Sequence, residues 1–145
     1  MTLQKDSSIE NQDTQVPWSY FGALCLAAAN PNITFEGQTR LMHGGDLEVL
    51  RNLAENPSLA DGYQVTLATH DDASVLRNLA GNPNLVHAAQ AALVQSSDTL
   101  VLYNLAGNLS ITPKHQAILA QSSDFYVLRN LAYNPNLAPE LVKKV

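Results

Sequence analysis

Four histidines, one cysteine, the serine pairs within the later part of the chain and one adjacent acidic pair are the side chains best suited to chemistry. His43, His70, His87 and His115 could serve as general bases or metal ligands. A zinc-binding helix would carry two histidines four residues apart with a glutamate between them, and a thiolate site would need more than Cys25. Neither arrangement occurs. His43 and His70 lie 27 residues apart and His87 and His115 lie 28 apart, which reads as near-repeat positions on the surface. Asp71 and Asp72 could share a proton, but Asp72 is one of a recurring set of aspartates, and Asp71 is then its solvated neighbour. Ser96-Ser97 and Ser122-Ser123 have no histidine at a fixed offset to both. Gly44-Gly45 and Gly62 follow no strand, so no phosphate-binding loop is formed. The expectation is a protein that is not an enzyme, with no catalytic residue, no metal site and no cofactor.

The remaining chemistry is recognition, and a repeat organises it. Leu24, Leu50, Leu76, Leu102 and Leu128 are spaced by 26 residues without an insertion. The same count holds for Gln38, Gln64, Gln90 and Gln116, for Leu41, Leu67, Leu93 and Leu119, and for Asp46, Asp72, Asp98 and Asp124. A fixed period of this size marks a solenoid, whose units pack mainly on their neighbours and offer an extended surface. Within each unit the aspartate is a natural N-cap, and the apolar residues after it (Val75, Leu76, Leu79 and Ala80) follow helical spacing. Asn-Pro ends that helix, because the residue before proline avoids the helical region. A second helix begins near Thr112-Pro113 or its equivalents and is expected to stop near Ser122-Ser123. Gly62, and Gly37, Gly44 and Gly45 still more, are expected to weaken the second helices of the first units.

These elements position one stripe of side chains. At 100° per residue, unit positions one, four and five share the core side of the first helix, and positions 25, two and six fall opposite them. That outer stripe reads Glu48, Arg51, Glu55; Ser74, Arg77, Gly81; Leu100, Tyr103, Gly107; Tyr126, Arg129, Tyr133. Helices stacked at their usual separation make it roughly 25–30 Å long. Tyrosine and arginine are the residue types enriched where proteins bind one another. The candidate partner-binding residues are therefore Arg51, Arg77, Leu100, Tyr103, Tyr126, Arg129 and Tyr133, with the apolar weight in the C-terminal half. Glu55, four residues after Arg51, could pair with it as an ordinary surface ion pair. The ladders Asn52, Asn78, Asn104, Asn130 and Asn30, Asn56, Asn82, Asn108, Asn134, like the glutamine ladder, are expected to be structural.

The run V-L-R-N-L-A-x-N-P-N-L, followed by T-P or A-P, a mid-helix leucine and Ser-Ser-Asp, resembles the leucine-rich repeat variant family. A conventional leucine-rich repeat is excluded, because no L-x-x-L-x-L strand is present. The resemblance covers Leu24 to Val145 and departs from the family in the length of the unit and in Asn108-Leu109, where Asn-Pro is expected. It implies an all-α, right-handed solenoid of about five two-helix repeats, one helix of each pair often 3₁₀, and a scaffold instead of a reaction. Bacterial origin is implied by the resemblance alone.

Composition sets the remaining bounds. The net charge is −5, with 8 Lys+Arg against 13 Asp+Glu, which disfavours broad contact with nucleic acid phosphates. The alternative function, a nucleic-acid-binding repeat, would use Arg51, Arg77 and Arg129 on phosphates. One cysteine fits a reducing, cytoplasmic setting, and no apolar run spans a membrane. Residues 1–17 are expected to be a disordered polar segment, and residues 18–145 a single repeat domain capped at its start by Trp18, Tyr20 and Phe21. Val145 falls at the unit position of Leu119, so the last helix is expected to be short. The expected partner is another protein or a peptide, bound by a monomer.

Overall fold

The computed structural model describes residues 17–143, and those residues contain nine α-helices, one 3₁₀ helix and no strand. The helices are α1 (Pro17–Ala29), α2 (Phe35–Gly44), α3 (Leu47–Ala54), α4 (Asp61–Leu67), α5 (Ala73–Ala80), α6 (His87–Leu93), α7 (Thr99–Gly107), α8 (Pro113–Leu119) and α9 (Phe125–Ala132). The 3₁₀ helix is Pro139–Leu141. Most of the segment expected to be disordered, together with Val145, lies outside the described residues; Pro17 opens α1.

Each odd-numbered helix packs on the next, from α1 through α9, and the even-numbered helices brace the flank of that row. The cause is visible in one unit. Asp72 leaves the helical region at ψ 122° and accepts the Val75 N–H at 2.9 Å, closing the open N-terminus of α5. Val75, Leu79 and Ala80 then turn inward and are fully buried. The same set recurs as Val49, Leu53 and Ala54, as Val101, Leu105 and Ala106, and as Val127 and Leu131. Leu67, Leu93 and Leu119 close the core from the even helices.

The asparagines and glutamines hold one unit to the next. The Asn82 amide donates to the carbonyls of Ala54 and Asn56, both at 2.8 Å, and Asn56, Asn108 and Asn134 repeat this with their own predecessors. Asn78, Asn104 and Asn130 reach the carbonyls of Arg51, Arg77 and Tyr103. Gln64 points the other way, donating to Asn84 O and accepting from Val86 N, as Gln38, Gln90 and Gln116 do at their positions. Asn56, Asn82, Asn108, Asn134 and the four glutamines are buried, and each bonds main-chain groups of a neighbouring unit, the condition under which buried polar groups are tolerated.

The structure adds detail to four expectations. The second helices are α-helical, not 3₁₀; Pro139–Leu141 alone has the tighter form among the described residues. Gly62 does not shorten α4, which has seven residues like α6 and α8. Gly37 and Gly44 lie within α2, longer at ten residues, and Gly45 ends it in the left-handed region at φ 70°. The even helices stop before the serines, α8 at Leu119, and Ser122 instead accepts the Asp124 N–H. Where Asn108-Leu109 replaces Asn-Pro, Asn108 still leaves the helix at ψ 125°, because its amide is committed to Ala80 and Asn82. The asparagine, more than the proline, sets that helix end.

Candidate partner-binding face

The outer stripe of α3, α5, α7 and α9 holds the seven candidate residues, but it is not uniform. Arg51 and Arg77 are half-buried and already occupied. The Arg51 guanidinium straddles the Asp72 carboxylate, with Nη2 2.8 Å from Oδ2 and Nε 3.3 Å from Oδ1. Arg77 meets Asp98 in the same way, at 2.7 and 3.2 Å. These are two-point pairs between each helix and the N-cap of the next odd helix, the arrangement in which guanidinium and carboxylate planes match best. The hydrogen bond from Arg51 holds the Asp72 carboxyl down to about 2, and that from Arg77 lowers Asp98. The same bonds raise the two guanidinium groups above the usual arginine value. The expected pairing of Arg51 with Glu55 is replaced by Asp72 and by Glu48 at 3.2 Å.

In the next unit Tyr103 stands in the place of the arginine. Leu100 is 50 % exposed, Tyr103 is half-buried, and Tyr126 and Tyr133 are 59 % and 76 % exposed. Arg129 is exposed and folds back over two rings, its guanidinium carbon 5.3 Å from the centre of Tyr126 and 5.8 Å from that of Phe125. Phe125 meets Tyr126 edge to face at 5.5 Å and is itself 65 % exposed. Thr99, Leu100, Tyr103, Asp124 and Tyr126 line a cavity of about 230 Å³ between α7 and the start of α9. The structure thus brings Leu100, Tyr103, Tyr126 and Arg129 to one patch with Phe125, and holds Arg51 and Arg77 in ion pairs with Asp72 and Asp98.

Sequence reasoning missed Phe125, which follows the capping aspartate where its counterparts are Leu47, Ala73 and Thr99. It also missed the Arg–Asp pairs, whose signal was available: both residues recur, always 21 apart. His115 is corrected from a surface residue to a buried one, 4 % exposed. It takes the place of Ala89 in the preceding unit, and its Nδ1 lies 2.9 Å from Thr112 Oγ1 and 3.1 Å from Gln90 Oε1. Burial lowers its pKa, with the charges of Lys114 and His87 acting in the same direction. His43 and His87 are exposed, and His70 accepts the Asp72 N–H through Nδ1 at 3.0 Å. Burial raises the Cys25 thiol, aided by Glu48 and Asp46.

At the other end of the row, Tyr20 is exposed and Phe21 packs against the core. Tyr20, Leu24, Ile33, Leu41 and Asp46 are among the residues lining a second cavity of about 420 Å³. Among the described residues no group of three or more acidic, histidine or cysteine side chains could hold a metal ion. No helix there is long and apolar enough to cross a membrane. No family model matches this chain, and comparison with curated proteins and with solved structures likewise finds no match.

Proposed function

We propose that this chain is an α-solenoid of the leucine-rich-repeat-variant kind that works as a non-enzymatic protein–protein interaction module, an adaptor, chaperone-like binder or inhibitor. Support for the solenoid comes from hydrogen bonds that recur from unit to unit with unchanged offsets, such as Asn82 to Ala54 and Asn108 to Ala80. A right-handed superhelix, a monomeric state, a cytoplasmic setting and a bacterial source belong to the same reading and rest on the repeat motif and the single cysteine.

The observation that carries the functional reading is the patch of Leu100, Tyr103, Phe125, Tyr126 and Arg129, with Tyr133 just past the end of α9. Large aromatic side chains left in water are unfavourable unless something covers them, and tyrosine beside arginine is the composition of binding hot spots. The competing reading, a phosphate track on Arg51, Arg77 and Arg129, loses ground because two of the three guanidinium groups are already matched to carboxylates.

The test is affinity capture of the partner followed by titration of the Tyr103→Ala/Tyr133→Ala double variant. Binding should weaken by about 2 kcal/mol or more, the scale of a hot-spot loss, with the circular-dichroism spectrum unchanged. A folded double variant with wild-type affinity would refute the face. A steep fall of affinity with salt would favour phosphate contacts instead.

A further inference from the structure

The stripe supplies its own template for what the α7–α9 cavity accepts. Asp72, Asp98 and Asp124 occupy equivalent unit positions and perform the same capping task, each accepting backbone N–H groups through Oδ1. At Asp72 and Asp98 the second oxygen, Oδ2, receives a guanidinium Nη2 from the preceding odd helix. At Asp124 the residue 21 places earlier is Tyr103, which bears no cation. Oδ2 of Asp124 has no hydrogen-bond donor among the described residues, although Asp124 is half-buried. The cavity opens at this point, with Leu100, Tyr103 and Tyr126 around the carboxylate. The nearby Arg129 does not fill it, because its guanidinium lies over Phe125 and Tyr126.

We propose that this cavity takes the guanidinium of an arginine presented by the partner protein, which seats on Asp124 as Arg77 seats on Asp98. The inference rests on the interaction reading above and names the chemistry of the partner. Three features select arginine. The Asp98 site is a two-point site, and a planar guanidinium satisfies both carboxylate oxygens where an ammonium supplies a single point. The walls include two tyrosine rings, and a guanidinium packs on aromatic rings while remaining charged. The carboxylate is partly withdrawn from water, which strengthens its attraction for a matched cation. The exposed rim of Leu100, Phe125 and Tyr126 calls for apolar chain around that arginine, which a protein supplies and a free small guanidinium compound does not.

The test uses the full chain labelled with ¹⁵N and titrated with N-acetyl-arginine-N-methylamide, beside its citrulline and lysine counterparts. The arginine probe should shift the Tyr126 and Val127 amides, which donate to Asp124, in a saturable manner and bind about tenfold tighter than either counterpart. Asp124→Asn keeps a capping oxygen and removes the charge, so the response should vanish with the fold intact. Tyr103→Arg fills the cavity from within the chain and should also abolish the response. Unmoved amides, equal binding of citrulline or lysine, or an undiminished response in either variant would each overturn the assignment. If the arginine probe fails while Tyr103→Ala/Tyr133→Ala still loses the captured partner, the arginine assignment alone falls. If the probe behaves as expected and the double variant keeps the partner, the interaction face falls and the cavity chemistry stands.

Discussion

Helices α5 and α9 are built on the same plan and face different tasks. Both begin at an aspartate cap, both bury a valine and a leucine completely, and both are pinned by asparagines to the helix before them. Between α5 and α7 an arginine and an aspartate close on each other; between α7 and α9 a tyrosine stands back from the equivalent aspartate and leaves a cavity. Unit position two is thus an arginine joined to the next aspartate at one junction and a tyrosine lining a cavity with it at the other. Scaffold and surface are separable here, because no ladder residue has to change when position two does.

The largest effect that probes this contrast is in the core. Leu79→Ala should destabilise by about 2–5 kcal/mol, because Leu79 is fully buried between neighbours on both sides. Leu131→Ala should cost less, near the low end of that range, since α9 is the last helix of the row and its surroundings relax more readily. Denaturant unfolding of the two variants measures both. Equal losses would mean that the C-terminal block is packed as firmly as the centre.

Next in size is the ladder. Asn82→Ala and Asn134→Ala each strip hydrogen bonds from two buried carbonyls, and each should lose about 1–3 kcal/mol. Similar values in the two variants are what a common scaffold requires. A near-zero loss at Asn134 alone, in the same unfolding assay, would break the comparison.

The smallest effects come from charge. The folded state lowers the Asp98 pKa, so Asp98 adds stability above its unfolded value of 3.8 and loses it as pH falls through the folded value. Arg77→Tyr, which copies the α7–α9 junction into the centre, should remove that part of the acid unfolding slope. His115 works over a higher window. Its folded pKa lies below 6.5, so the unfolded chain takes up the proton first, and stability falls as pH drops below about 6.5. His115→Ala, the residue found at the equivalent Ala89, should flatten the dependence between pH 7 and pH 5 in thermal melts. An unchanged slope would show that other groups set it.

Much of this was legible in the residues. The aspartate caps, the apolar set Val75, Leu76, Leu79 and Ala80, of which Leu76 is only partly buried, and the turns after each asparagine followed from local rules of helix start, period and stop. What escaped were contacts that cross a turn. Glu55 is near Arg51 in sequence, yet Asp72 lies closer in space, because the cap of the next odd helix is carried back against the stripe. His115 was read as a surface residue from its near-repeat spacing with His87, yet its unit position carries Ala89 and Tyr63 elsewhere, both packed inward. Phe125 escaped for the converse reason, a bulky ring at a position otherwise held by Leu47, Ala73 and Thr99.

The ladder amides have one more consequence. Asn82, Asn108 and Asn134 grip main-chain carbonyls of the preceding unit, and Gln64 and Gln90 grip main-chain groups of the following one. The peptide groups they read are the same whatever side chains the neighbour carries. A unit is therefore an interchangeable part: a block of 26 residues can be copied, deleted or transplanted in register and still meet partners for its buried amides. Gly107 leaves less freedom, since a Cβ there would come within 2.6 Å of the Asn130 amide. Side chains on the outer stripe can therefore differ from unit to unit while the main-chain contacts beneath them stay the same.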